Sequence, residues 1–111
     1  MRVLVVDDDP AALEIRRLVI ERRGHAVTIA ATPREAREAF ARGCDVVILD
    51  LRLPGVEDGV KLIREFRSVR VIVLCGNRGD LDGREEAGMA AAILEKPIRS
   101  EVLLAAINPP A

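Results

Sequence analysis

Asp7, Asp8 and Asp9 follow a short apolar run at residues 3–6, Asp50 follows another at 46–49, and Lys96 stands just beyond a third at 92–94. Runs this short and rich in β-branched residues read as buried strands. If those strands lie parallel in one sheet, Asp7, Asp8, Asp50 and Lys96 converge at its carboxyl edge, where such sheets bind ligands. Free aspartates titrate near ~3.9, so all three acids are ionised at neutral pH. Two of them ~4 Å apart repel by about 4 kcal/mol at an effective dielectric of ~20. Three therefore call for a cation, and an oxygen-only donor set suits a hard ion, Mg²⁺ or Mn²⁺. A carboxylate beside such an ion can attack a phosphoryl group and form an acyl phosphate. Asp50 is the expected nucleophile, Asp8 a direct metal ligand, and Asp7 a ligand directly or through water. Lys96 is expected to pair with the phosphoryl oxygens as a mobile point charge.

The rest of the chain must supply elements that hold these residues. Asp9-Pro10 reads as an N-cap and first helical residue, opening a helix to about Arg23 with Ala12, Ile15, Leu18 and Val19 as its inner stripe. Gly24 ends it. Residues 26–30 form a second strand. Thr32-Pro33 opens a second helix, with Ala36, Ala39 and Phe40 facing inward and Gly43 closing it. After Asp50 comes a loop with Pro54, Gly55 and Gly59, then a third helix at about 60–66 that offers Leu62, Ile63 and Phe66 to the core. Residues 71–74 read as the fourth strand. The stretch 76–88 is the weakest: a helix is expected there, but Gly79 and Gly83 each cost about 1 kcal/mol relative to Ala. Leu81 and Ala87 are its inward candidates. The fifth strand is followed by a last helix at 100–107, stopped by Asn108-Pro109-Pro110. Strands alternating with helices imply an α/β fold, a doubly wound parallel sheet covered on both faces.

Length and composition bound the function. The chain has 111 residues, half of them hydrophobic, with two Phe as its only aromatics, so one domain with an aliphatic core is expected over 1–111. A net charge of −1 with mixed signs leaves no basic footprint for nucleic acid or anionic lipid. No apolar run reaches the ~20 residues of a membrane span, and no signal peptide is legible, so a cytoplasmic location is expected. No GxGxxG or Walker-type loop follows the first strand. An Asp-nucleophile phosphatase of the haloacid-dehalogenase type would want Asp-x-Asp, whereas Asp50 is followed by Leu51 and Arg52. Cys44 and Cys75 should lie too far apart for a disulfide. His25 reads as a surface residue, and Asp45 and Asp58 as strand-edge and cap residues.

The segments VLVVDDDP, DVVILDLRLPG, DGVKLIREFR and LEKPIRSEVLLAAI resemble the receiver domains of response regulators, the flavodoxin-like modules of two-component signalling, over nearly the whole chain. The resemblance implies a five-stranded sheet of order 2-1-3-4-5 and phosphorylation of Asp50 by a sensor histidine kinase or histidine phosphotransfer protein. It implies the backbone carbonyl of Arg52 as a further metal ligand. It also implies a possible homodimer through the face built from the segment 76–88, the fifth strand and the last helix. A receiver catalyses only its own phosphorylation and dephosphorylation and is not otherwise an enzyme. No output domain is expected within this chain.

Departures from the family pattern fall on its readout. Cys75 and Gly76 stand where Thr or Ser, then Ala, are usual, and Ile93 replaces the aromatic switch residue. A thiol is a weaker donor than a hydroxyl. The region 75–88 is about two residues short, 88–96 about one long, and the loop 50–58 about one long. A second reading follows: a pseudo-receiver that docks to partners without being phosphorylated.

Overall fold

The computed structural model describes residues 1–108; Pro109 and Pro110, expected as the helix stop, lie outside the described residues. Five strands, β1 (Arg2–Val6), β2 (Ala26–Ala30), β3 (Val46–Asp50), β4 (Arg70–Cys75) and β5 (Ala92–Glu95), form one parallel sheet of order β2-β1-β3-β4-β5. The helices are α1 (Pro10–Glu21), α2 (Pro33–Ala41), α3 (Val56–Phe66) and α4 (Ser100–Ile107). This is the flavodoxin-like doubly wound arrangement, and the order reverses between β1 and β3.

The period-2 pleat sorts the core into two faces. Val3, Val5, Ile48, Ile72 and Leu74 point to one side, where they meet Leu13 and Ile20 of α1 and Leu103 and Ile107 of α4. Leu4, Val6, Val47, Leu49 and Val73 point to the other, against Ala36 and Ala39 of α2 and Leu62, Ile63 and Phe66 of α3. The two aromatics, Phe40 and Phe66, stack at 4.3 Å where α2 meets α3. Helix starts follow the local chemistry: Asp9 accepts from the Ala11 N–H at 3.0 Å, and Thr32 Oγ1 from the Glu35 N–H at 3.1 Å. Asp45 ties two strand starts together, accepting from the Arg2 N–H at 2.7 Å.

Three expectations are corrected. The inner stripe of α1 is Leu13 and Ile20 with Arg16 beside them; Ile15 and Leu18 are 63% and 46% exposed. The apolar pattern favoured Ile15 and Leu18, but Leu13 and Ile20, seven residues apart, return to the same side of a 3.6-residue helix. Helix α3 starts at Val56, four residues before the expected 60, because Gly59 is helical. A Cβ on Gly59 would sit 1.8 Å from the Leu51 carbonyl oxygen, so this glycine exists for the close approach of α3 to the loop after Asp50. The stretch 76–88 holds no α-helix among the described residues. It forms two 3₁₀ turns, Arg78–Leu81 and Glu85–Met89, joined through Gly83 at φ +74°. Of its inward candidates, Leu81 is buried and Ala87 packs partly against the core.

Helix propensity alone would make Gly59→Ala stabilising by about 1 kcal/mol. The contact with Leu51 reverses that sign. Denaturant unfolding should show a loss of about 1–3 kcal/mol, the usual cost of overpacking; a gain would mean that the α3–loop contact is loose.

Candidate functional site

Register alone makes Asp7 and Asp50 neighbours. Val6 pairs with Leu49 across β1 and β3, so the next residue on each strand meets the other at the crevice where strand order reverses. Both side chains are buried, Asp7 at 2% and Asp50 at 6% exposure. By the pleat they belong to the α1/α4 side of the sheet. The charge of Asp7 acts on Asp50 across this crevice.

Each carboxylate has its own cation. Lys96 follows β5, two strands away, and its long stem reaches past the end of β4 to bring Nζ 2.7 Å from Asp50 Oδ2. The other oxygen of Asp50 accepts from the Arg52 N–H at 3.3 Å. Asp7 Oδ2 is paired with the guanidinium of Arg16, and its Oδ1 accepts from the Asp9 N–H at 2.9 Å. Burial alone would raise the Asp7 pKa, but the Asp9 N–H and Arg16 outweigh it and hold the carboxyl below its ordinary value. Burial pushes Asp50 up; Lys96 opposes the shift and the charge of Asp7 adds to it, and the net direction is up.

The loop after Asp50 is anchored by the alternation of buried Leu51, exposed Arg52 and buried Leu53, with α3 clamped onto Leu51 through Gly59. Arg52 thereby touches Asp50 through its backbone and Asp80 of the first 3₁₀ turn through its guanidinium, at 3.1 Å. Two further arginines tie the segment to α3. Arg84 meets Glu57 at 2.7 Å, and Arg64 meets Glu85 and Glu86 at 3.1 and 2.9 Å.

The structure therefore gathers Asp7, Asp50, Lys96 and the Arg52 backbone. Asp8 is exposed, and no hydrogen bond joins it to the pair among the described residues. Cys75 is buried on the α2/α3 side with Ile93 packed partly against the same cluster, and its thiol meets the Leu94 carbonyl oxygen at 3.8 Å. Among the described residues, no group of three or more His, Cys, Asp or Glu side chains is gathered closely enough to hold a metal ion. Arg16 was missed from the sequence. Its signal was present: a charge within 60° of the Leu13–Ile20 line on a helix opening beside three aspartates.

A model of the response regulator receiver domain family matches residues 3–108. The transcriptional regulatory protein CseB of Streptomyces coelicolor is 39% identical over 112 aligned residues, which cover 96% of this chain and 47% of that protein. A receiver domain protein from Clostridium thermocellum superposes with a TM-score of 0.85 at 33% identity, covering 96% of this chain and 90% of that one. The response regulator TrrA of Thermotoga maritima, solved in complex with Mg²⁺ and a beryllium fluoride, superposes at 0.80 with 27% identity over 92% of this chain and 91% of that one. The chain belongs to the response regulator receiver domain family of two-component signalling. It spans about half the length, or less, of the curated relatives it matches.

Cys44 and Cys75 are both free, and burial raises both thiols, with Asp45 and Glu95 respectively adding to the shift. Iodoacetamide at neutral pH should leave Cys75 unmodified in the folded protein and alkylate both cysteines in guanidinium, read by peptide mass mapping. Equal labelling of Cys75 in the two states would place that thiol in an accessible site.

Proposed function

We propose that this chain is a phosphoacceptor receiver in which Asp50 takes a phosphoryl group from a histidine of a sensor kinase or phosphotransfer protein. The observation that carries this reading is the buried Asp7–Asp50 pair with Lys96 Nζ 2.7 Å from Asp50. An Asp50 oxygen attacks phosphorus as the bond from phosphorus to the donor nitrogen breaks. The leaving imidazole keeps that electron pair and takes a proton from solvent. Lys96 moves from the carboxylate to the transferred group, where its charge offsets the added oxygens.

The donor chemistry fits Mg²⁺ or Mn²⁺: Asp7 and Asp50 are hard oxygen ligands, with exposed Asp8 and the Arg52 carbonyl on the adjoining segments to complete the set. When bound, the ion would neutralise the carboxylate pair and the phosphoryl oxygens. The residues of this chain do the rest. Leu51, Leu53 and Gly59 fix the loop beside Asp50, and the Arg52 N–H orients one carboxylate oxygen. A docking partner must cover this edge of the sheet. The groove between α1 and the start of α4, which Ile15, Val19, Lys96 and Pro97 line, gives it an apolar foothold. Exposed Val102, beside Ile98 in a second groove with Ile93, marks the face on which a homodimer could form. Action in the cytoplasm belongs to the same reading; no helix among the described residues is long and apolar enough to cross a membrane.

One observation favours the pseudo-receiver reading. Cys75 is buried with its thiol on the Leu94 carbonyl, so the position that usually carries a hydroxyl has no group turned to Asp50. Intact mass after incubation with acetyl phosphate and Mg²⁺ separates the two. A single phosphoryl adduct on the wild type and none on Asp50→Asn is expected; no adduct on the wild type would select the docking module, and an adduct persisting on Asp50→Asn would move the acceptor elsewhere.

Phosphorylation should reach the segment at 76–89 through Arg52, which touches both Asp50 and Asp80. Hydrogen exchange with and without beryllofluoride tests this. Protection of residues 78–87 should rise when the mimic binds. Full protection in the free protein, unchanged by the mimic, would contradict a readout through this segment.

A further inference from the structure

We propose that Arg16 is an internal counter-ion of the acidic pocket, which competes with the divalent cation for Asp7 and so sets the affinity for metal. This rests on the metal-assisted phosphoacceptor reading above. Three observations carry it.

The first is position. Arg16 sits on the buried side of α1 between Leu13 and Ile20, which are 4% and 0% exposed. A charge there is costly unless paired, and its partner is Asp7, one of the two buried acids of the site. The second is charge compensation. All four oxygens of Asp7 and Asp50 already have donors: Arg16 and the Asp9 N–H on one, Lys96 and the Arg52 N–H on the other. Two buried carboxylates facing two cations are neutral without any ion. Each oxygen keeps a second lone pair, so a metal can still reach this pair, but it must do so against two positive charges already in place. Lys96 and the Arg52 N–H hold the acceptor itself, and the Asp9 N–H is fixed by the start of α1. Arg16 is a flexible side chain whose only hydrogen-bond partner among the described residues is Asp7, and unlike Lys96 it has no part at the transferred group.

The third is room to move. Arg16 borders a groove of about 410 Å³ between α1 and α4, lined by Ala12, Ile15, Val19, Leu103 and Lys96. The guanidinium can lie back along that apolar wall with its head in water, as long basic side chains do. Displacement thus costs the Asp7 pairing and little else. Arg16 is a positioning residue for the pocket and touches no reacting atom in this scheme.

The test uses Mn²⁺ alone as probe, with the free ion counted by electron paramagnetic resonance. Arg16→Met keeps the stem and removes the charge. It should bind Mn²⁺ more tightly than the wild type by about tenfold or more, because a unit positive charge no longer opposes the ion at close range. Arg16→Lys restores the charge and should return the affinity to within about threefold of wild type, which loss of packing alone would not do. Metal should also raise the Tm of Arg16→Met more than that of the wild type, since tighter binding to the folded state stabilises it further. Should Arg16→Met not fold without metal, Arg16→Gln, which keeps a hydrogen-bond donor toward Asp7 but no charge, is measured in its place with the same expectation. Equal or weaker Mn²⁺ binding by the neutral variants overturns the inference and leaves the phosphoacceptor reading standing. No binding by any form overturns both.

Discussion

Two buried carboxylates at adjacent strand ends repel each other, and much of the molecule is arranged around that repulsion. The parallel pairing of β1 with β3 puts Asp7 beside Asp50, with strands about 4.8 Å apart. The fold answers from two directions. Helix α1 supplies Arg16 from above the sheet, and the turn after β5 supplies Lys96 from two strands away. Arg16 comes from the helix that directly follows Asp7, whereas Lys96 is far from Asp50 in sequence and meets it only through the strand order, so the topology and that half of the site are one constraint. The compensation is unequal. Asp7 is held ionised, so its contribution to stability is present above the ordinary carboxylate range and is lost as pH falls. Asp50 is shifted the other way, so its ionisation at neutral pH works against the fold. In the proposed reading, a bound cation would relieve that tension.

On the far side of the site, cohesion is weaker by design of composition. The segment at 76–89 has one fully buried apolar side chain, Leu81, and is otherwise tied to α3 and the β3–α3 loop by arginine–carboxylate pairs. Exposed pairs of this kind contribute about 0–1 kcal/mol each and weaken with salt. A segment held this way can shift when one tie changes, and Arg52 is the tie that also touches Asp50. The proposed readout uses loop backbone and ion pairs, on a chain whose Cys75 and Ile93 are packed into the opposite face of the sheet.

What the amino-acid pattern revealed follows the same physics. The five strands and the doubly wound class were legible because short β-branched runs separated by capped helices admit few parallel topologies; the order 2-1-3-4-5 came with the resemblance to receiver domains. Asp7, Asp50 and Lys96 were legible because ligand chemistry collects at strand ends. The first turn of α3 was not, since Gly59 looks like loop punctuation until Leu51 is seen pressed against it. Arg16 was hidden for a related reason: a polarity pattern assigns charges to the outside, and only the buried partner Asp7 makes an inward arginine sensible. The stretch at 76–88 was rightly poor in helical signal. That it would resolve into two 3₁₀ turns depended on Gly83 and on ion pairs with residues more than twenty positions away.

Thermal unfolding of wild type and Asp50→Asn in metal-free buffer at neutral pH tests the central constraint most directly. The substitution keeps the shape of the side chain and removes one of the two buried negative charges. Because burial, with the Asp7 charge added, outweighs Lys96 and disfavours the charged form of Asp50, Asp50→Asn should unfold at a higher temperature than the wild type, and Mg²⁺ should raise the wild-type Tm and narrow the gap. An Asp50→Asn protein that is no more stable than the wild type without metal would contradict a site in which burial and the neighbouring Asp7 hold Asp50 against its charge.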